Sequence, residues 1–191
     1  MKKISITDIT HKKVAMEREM TLLFREKSAI DACADSIGAD AVELAQVKNL
    51  REDTIIYKTI AQNIQNAVVA IAAGFEKQDV VNAWECIKDA KKPRLQIELP
   101  VSTVQMEYTY HIKSDKMIEK IAALTAAAKE LCNDVEFVAL DATRADEDFL
   151  LAAVKEAKES GASMVTVCDD AGACTPENVA ELVAKVKENL K

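Results

Sequence analysis

No run of about 18 apolar residues occurs in the chain, the length an α-helix needs to cross a bilayer, so no membrane-spanning helix is expected. Met1-Lys2-Lys3 leads into a strand-like alternation without the apolar stretch of a secretory signal, and a cytoplasmic location is the expectation. Nor is there a basic stripe. The chain has 32 acidic and 25 basic residues spread along its length and a net charge of −7, which argues against nucleic acid as a partner. Cys-x-x-Cys is absent as well. The five cysteines, Cys33, Cys86, Cys132, Cys168 and Cys174, are odd in number and read as reduced thiols, with neither a disulfide framework nor a structural zinc site expected. No glycine-rich loop follows the first strand, where the chain reads Ile9-Thr10-His11-Lys12-Lys13, so a dinucleotide-binding fold loses its main signal. The two histidines, His11 and His111, give a serine or cysteine triad no convincing partner.

What is present is a repeat of about 30 residues, a short apolar strand followed by an amphipathic helix. Strands are expected at Ile4 to Asp8, Ala41 to Ala45, Ala67 to Ala72, Arg94 to Leu99, Val135 to Leu140 and Met164 to Val167. The helices between them are expected near Arg25 to Ile37, Glu52 to Ile64, Gln78 to Ala90, Asp115 to Cys132 and Asp146 to Ser160, with a last one from Pro176 to Leu190. Gly38 and Gly161 read as helix stops, and Ser114 and Thr175 as N-caps. Strands joined by crossover helices pair in parallel, and their apolar character on both faces fits helices packed outside. The fold class is α/β: an incomplete TIM-like (β/α) barrel of six parallel βα units, forming one domain over residues 1–191. Such a barrel leaves strands one and six with unpaired edges, so a homo-oligomer or a partner chain is expected there.

Read at the C-terminal ends of its strands, the sequence resembles the family of 2-isopropylmalate synthase, homocitrate synthase and hydroxymethylglutaryl-CoA lyase. The resemblance is carried by Asp134-Val135-Glu136-Phe137 through Asp141-Ala142-Thr143-Arg144, and by Asp169 and Gly172 with Thr175-Pro176. Gly38 to Glu43 and Pro100-Val101-Ser102 add to it. The resemblance implies a divalent metal that polarises a 2-oxo acid or hydroxyacyl substrate, acetyl-CoA as the co-substrate of the synthases, and an arginine that steadies the developing enolate.

The pattern breaks at that chemistry. The family's first strand ends D-T-T-L-R-D-G, and this chain reads Asp8-Ile9-Thr10-His11-Lys12-Lys13-Val14. Lys12 stands at the arginine position without its bidentate fork, and Lys13 stands where an aspartate would bind the metal. The third-strand arginine falls at Ala73 or Gly74, Gln105 replaces a histidine, Leu140 replaces an acidic residue, and the His-x-His pair of the seventh strand has no counterpart up to Lys191.

Lys12, Lys13, Glu43 and Arg144 are therefore the catalytic candidates, and Thr10, Ser102, Asp141 and Arg144 the positions expected to meet a small carboxylate. Each has a plainer reading. Lys12 and Lys13 are either an anion site or imine-forming amines, or part of a solvated basic loop with His11. Glu43 suits a salt bridge to a lysine from the first strand's end. Arg144 either grips a carboxylate or forms a loop-closing ion pair. Cys168, Asp169, Asp170 and Cys174 read as a structural turn rather than a soft-metal site, and His111 as a loop anchor.

The leading expectation is a truncated homologue that binds no metal and no cofactor, serving as a binding, regulatory or structural subunit. The alternatives are one piece of a split acyltransferase or lyase completed by a partner, and a lysine-dependent aldolase-like lyase.

Overall fold

The computed structural model describes residues 4–17 and 22–191. Its strands are β1 (Thr7–Asp8), β2 (Ala41–Leu44), β3 (Val68–Ala72), β4 (Pro93–Pro100), β5 (Val135–Leu140) and β6 (Met164–Val167). Its helices are α1 (Thr10–Val14), α2 (Phe24–Ile37), α3 (Leu50–Asn63), α4 (Lys77–Ile87), α5 (Ser114–Leu131), α6 (Glu147–Glu159) and α7 (Pro176–Asn189). The strand order follows the chain, β1-β2-β3-β4-β5-β6, the succession of an incomplete TIM-like barrel. Two compact units share this order, Met1–Gln96 and Ile97–Lys191, and their boundary falls inside β4.

In the first unit β2 lies in parallel register between β1 and β3, with Val42 opposite both Asp8 and Val69. Val69, Ala70, Ile71 and Ala72 are buried in succession, as a strand covered on both faces must be. Ile56 and Ile60 of α3 and Val80, Ala83 and Ile87 of α4 complete this core. A buried carboxylate ties its layers together. Asp35, near the end of α2, accepts hydrogen bonds from the backbone N–H groups of Gln65, Asn66 and Ala67 at 3.0, 2.9 and 2.7 Å. The second unit repeats the plan. Val135, Phe137 and Ala139 of β5 are buried with Met117, Ile121, Leu124 and Ala128 of α5 and Leu150, Ala153, Val154 and Ala157 of α6.

Local signals explain most element ends. Gly38 closes α2 at φ 92°, a left-handed backbone that a side chain would strain. The Asn49 side chain caps α3, and Thr175 followed by Pro176 caps α7.

Four details differ from the sequence expectation. β1 is two residues long instead of five, because its ladder to β2 covers Thr7 and Asp8 alone; Ile6 instead pairs with Asp40, its N–H donating to Oδ2 at 2.9 Å and its carbonyl accepting from the Asp40 N–H at 2.8 Å. The segment expected as a loop after β1 is the helix α1, whose first turn is steadied by Asp8 accepting from the Thr10 N–H and hydroxyl at 3.1 Å each. Ser114 is the first residue of α5 rather than its cap, which is Lys113 without a side-chain bond. A six-residue π-helix, Val104–Thr109, follows β4, an i→i+5 pattern that apolar periodicity does not reveal.

The Asp35 carboxyl is pushed up by burial, but the three backbone donors outweigh this and hold it below its usual value of 3.8. Asp35→Asn is expected to destabilise the protein by about 1–3 kcal/mol near neutral pH, measured by urea denaturation. A carboxyl whose pKa is depressed on folding contributes fully above its unfolded pKa and loses that contribution as pH falls through the folded value. The gap between variant and parent should therefore shrink in acid.

Candidate functional site

The C-terminal ends of the strands carry a paired set of charges in each unit. In the first unit, α1 turns Lys12 back over β2, and its Nζ donates to Glu43 Oε2 at 2.8 Å. Both side chains are about 85% withdrawn from solvent, at 15% and 14% exposure. Thr10 is exposed, with its N–H and hydroxyl both spent on Asp8. Lys13 points outward from the same helical turn and is exposed, so α1 separates two lysines that a loop would have left together.

At the end of β3 the space beside Gly74 is already filled. A Cβ built there would run into Asp79 Oδ2 and Gln46 Nε2. Ala73, the other position expected to match the family's third-strand arginine, is buried.

The second unit centres on Asp141, which follows β5 with φ 56° and is fully buried. Non-glycine residues seldom adopt this left-handed conformation, though aspartate does so more readily than most. Here the surroundings hold it. Arg144 grips Asp141 with two parallel bonds, Nε to Oδ1 and Nη2 to Oδ2, each 2.7 Å. The Ser102 hydroxyl donates to Oδ2, and the N–H of Asp141 donates to Asp170 Oδ2 at 2.7 Å. Burial pushes the Asp141 carboxyl up; Arg144 and Ser102 outweigh it and hold it below the ordinary carboxylate range.

The neighbouring turn is built the same way. Asp169 accepts from the Thr143 hydroxyl at 2.6 Å and from the N–H groups of Ala173 and Cys174. Thr143 foremost, with those backbone donors, holds the Asp169 carboxyl low. His111, at φ 55°, bonds through Nδ1 to the Glu107 carbonyl at 2.9 Å.

The structure thus brings Lys12 to Glu43, and Ser102 and Arg144 to Asp141, while leaving Thr10 and Lys13 outside both groups. It also contains a pair that sequence reasoning did not assemble. His11, expected in a solvated loop, is buried, and its Nδ1 lies 2.6 Å from Asp31 Oδ2 on α2. The Tyr57 ring of α3 stands edge-on to it at 5.7 Å between centroids. One signal pointed there. Asp31 lies on the stripe of α2 that also buries Ala34 and Asp35, and a carboxylate on a buried face needs a partner.

With this geometry in place, comparison with known proteins is informative. The HMGL-like family profile matches residues 5–191. A 2-isopropylmalate synthase of Clostridium kluyveri is 32% identical over 190 residues, covering the whole of this chain and 37% of the synthase. A 2-isopropylmalate synthase B of Solanum pennellii is 31% identical over 195 residues, covering 97% of this chain and 32% of that protein. The chain therefore spans about a third of the length of these curated relatives.

Crystal structures of HMG-CoA lyase from Bacillus subtilis and hydroxymethylglutaryl-CoA lyase from Pseudomonas aeruginosa share the fold. Their TM-scores are 0.80 and 0.76 at 12% and 13% identity, each with 98% of this chain and 65% of the other covered. Family profile, sequence relatives and fold agree, and the chain belongs to the HMGL-like family.

Proposed function

We propose that this chain is a non-catalytic member of its family, a binding or structural subunit in which internal ion pairs occupy the ground that a metal and its substrate would need. The observation that carries this reading is the Lys12–Glu43 contact of 2.8 Å. A divalent ion needs hard, electron-donating ligands converging on one point. At the mouth of β1 and β2 the donor set includes an ammonium already bonded to the carboxylate, which repels a cation and lowers the charge available to it. The donors do not fit the ion. Among the described residues no group of three or more His, Cys, Asp or Glu side chains is arranged to hold one.

In the second unit, both oxygens of Asp141 are committed to Arg144 and Ser102. A substrate carboxylate would have to displace a bidentate partner before it met the guanidinium.

A subunit role also suits the sheet edges. Ile4 and Ile6 precede the short β1 with 84% and 67% of their surface exposed. Every residue of β6 keeps some exposure, in contrast to the closed strands β3 and β5. Unpaired strand edges with apolar side chains favour association with further β-structure. A second copy of the chain is the proposed occupant.

Three measurements test this reading. The purified chain, assayed with acetyl-CoA, a panel of 2-oxo acids and Mg²⁺ or Mn²⁺, is expected to show no condensation; turnover would sink the proposal. Lys12→Met alone is expected to lower stability by about 1–3 kcal/mol, because it strands a largely buried carboxylate. The double variant Lys12→Met/Glu43→Leu should recover most of that loss, as apolar replacements of buried pairs do. A double variant no better than the single one would mean the pair is not space-filling. Light scattering coupled to size exclusion should give a multiple of the single-chain mass, shifted toward monomer by Ile6→Lys; a monomeric parent would remove the edge-pairing argument.

A further inference from the structure

Helix α1 is fastened to its unit by polar bonds rather than by an apolar face. Five residues are too few for a helix to sustain itself in water, and the residue at its N-cap, Ile9, makes no side-chain bond, so α1 depends on being docked. His11 is the one residue of α1 that is fully buried. Val14 is half-buried, and Thr10 and Lys13 are exposed. Two contacts hold the helix down: His11 Nδ1 on Asp31 Oδ2 of α2 at 2.6 Å, and Lys12 Nζ on Glu43 Oε2 of β2 at 2.8 Å.

The first contact works against itself. His11 and Asp31 are both at 1% exposure, and among the described residues His11 Nε2 and Asp31 Oδ1 have no hydrogen-bond partner. That shortfall is the same whichever ring nitrogen carries the proton. Buried polar groups are nearly always satisfied, and each one left unpaired opposes burial. Water would satisfy both atoms at once, but only with α1 lifted away. The core of the same unit has no such reason to open. Val69 to Ala73 are buried in succession, together with Ile60 of α3 and Val80 and Ile87 of α4.

We propose that α1 is a strap that lifts from α2 and β2 as one piece while the strands stay folded, with the His11–Asp31 pair as the latch that sets how often it opens. Ile9, at φ −113° and ψ 11°, lies outside the helical and extended regions and is the pivot next to β1. Lifting takes Lys12 off Glu43 and returns Glu43 and Asp31 to water. The charges at the mouth of β1 and β2 are then unpaired only in the open form. The strap opens and closes irrespective of whether the chain turns over a substrate.

Native-state hydrogen exchange of the full chain, read at single amides in rising sub-denaturing urea, provides the test. The reporters are the N–H groups of Lys13 and Ala15, which donate to the Ile9 and His11 carbonyls at 2.9 and 3.0 Å. The core control is the Val69 N–H, which donates to the Lys92 carbonyl at 2.9 Å. Lys13 and Ala15 should be protected, yet exchange at least about a hundredfold faster than Val69 and with little dependence on urea, because a local opening exposes little surface. Val80→Ala leaves a cavity in the core that the open and closed forms share. It should speed Val69 by about tenfold or more and leave the α1 amides at their parent rate. Asp31→Ala should speed α1 exchange by about tenfold, since it removes the latch. Should that variant fail to fold, His11→Leu/Asp31→Leu takes its place, with α1 exchange slowed about tenfold because no polar atom is left dry. Four results would each overturn the proposal: α1 amides without protection, α1 amides with the rate and urea dependence of Val69, α1 amides accelerated by Val80→Ala as much as Val69, or α1 exchange indifferent to the latch variant.

Discussion

A charge taken out of water has to find its opposite nearby, and this chain meets that demand inside each of its two units. Parallel strands covered by helices leave polar groups only at their ends, so carboxylates and cations gather there by topology. Lys12 answers Glu43, and Arg144 answers Asp141. Asp35 is answered by three backbone N–H groups instead of a cation. Each of these contacts draws its partners from within one unit.

The two lysines after β1 owe their different surroundings to one short helix. Were the segment a loop, both ammonium groups would have been available to an anion. As a helix of five residues it sends Lys12 inward to Glu43 and Lys13 outward to water, because consecutive side chains on a helix diverge by about 100°. The same turn buries His11 between α2 and α3. One short element thus decides the surroundings of three titratable residues.

Much of the architecture was legible beforehand. Apolar runs bounded by glycine, proline and capping residues located all six strands and the helices α2 to α7, because those signals are local. Strands β5 and β6 fall on the expected residues, and Gly38 and Thr175 end and begin helices as their chemistry requires. What was hidden depends on partners distant in sequence. Helix α1 has no periodic signal of its own and relies on Asp8 and on the burial of His11. The His11–Asp31 contact joins residues twenty positions apart, and no spacing rule announces it. Likewise, Arg144 beside Asp141 invited both a substrate-gripping and a loop-closing reading; the structure shows the guanidinium closed onto its own loop through two bonds.

Gly74 carries an implication for substitution at the end of β3. The space a Cβ would take there is occupied by the Gln46 and Asp79 side chains. Asp79 is moreover engaged at the start of α4, accepting from the Glu76 N–H. A larger residue at this position would first have to displace the ends of those two side chains, Asp79 from its place at the start of α4. Close packing makes such a substitution a local rearrangement of three residues, not the simple addition of one side chain.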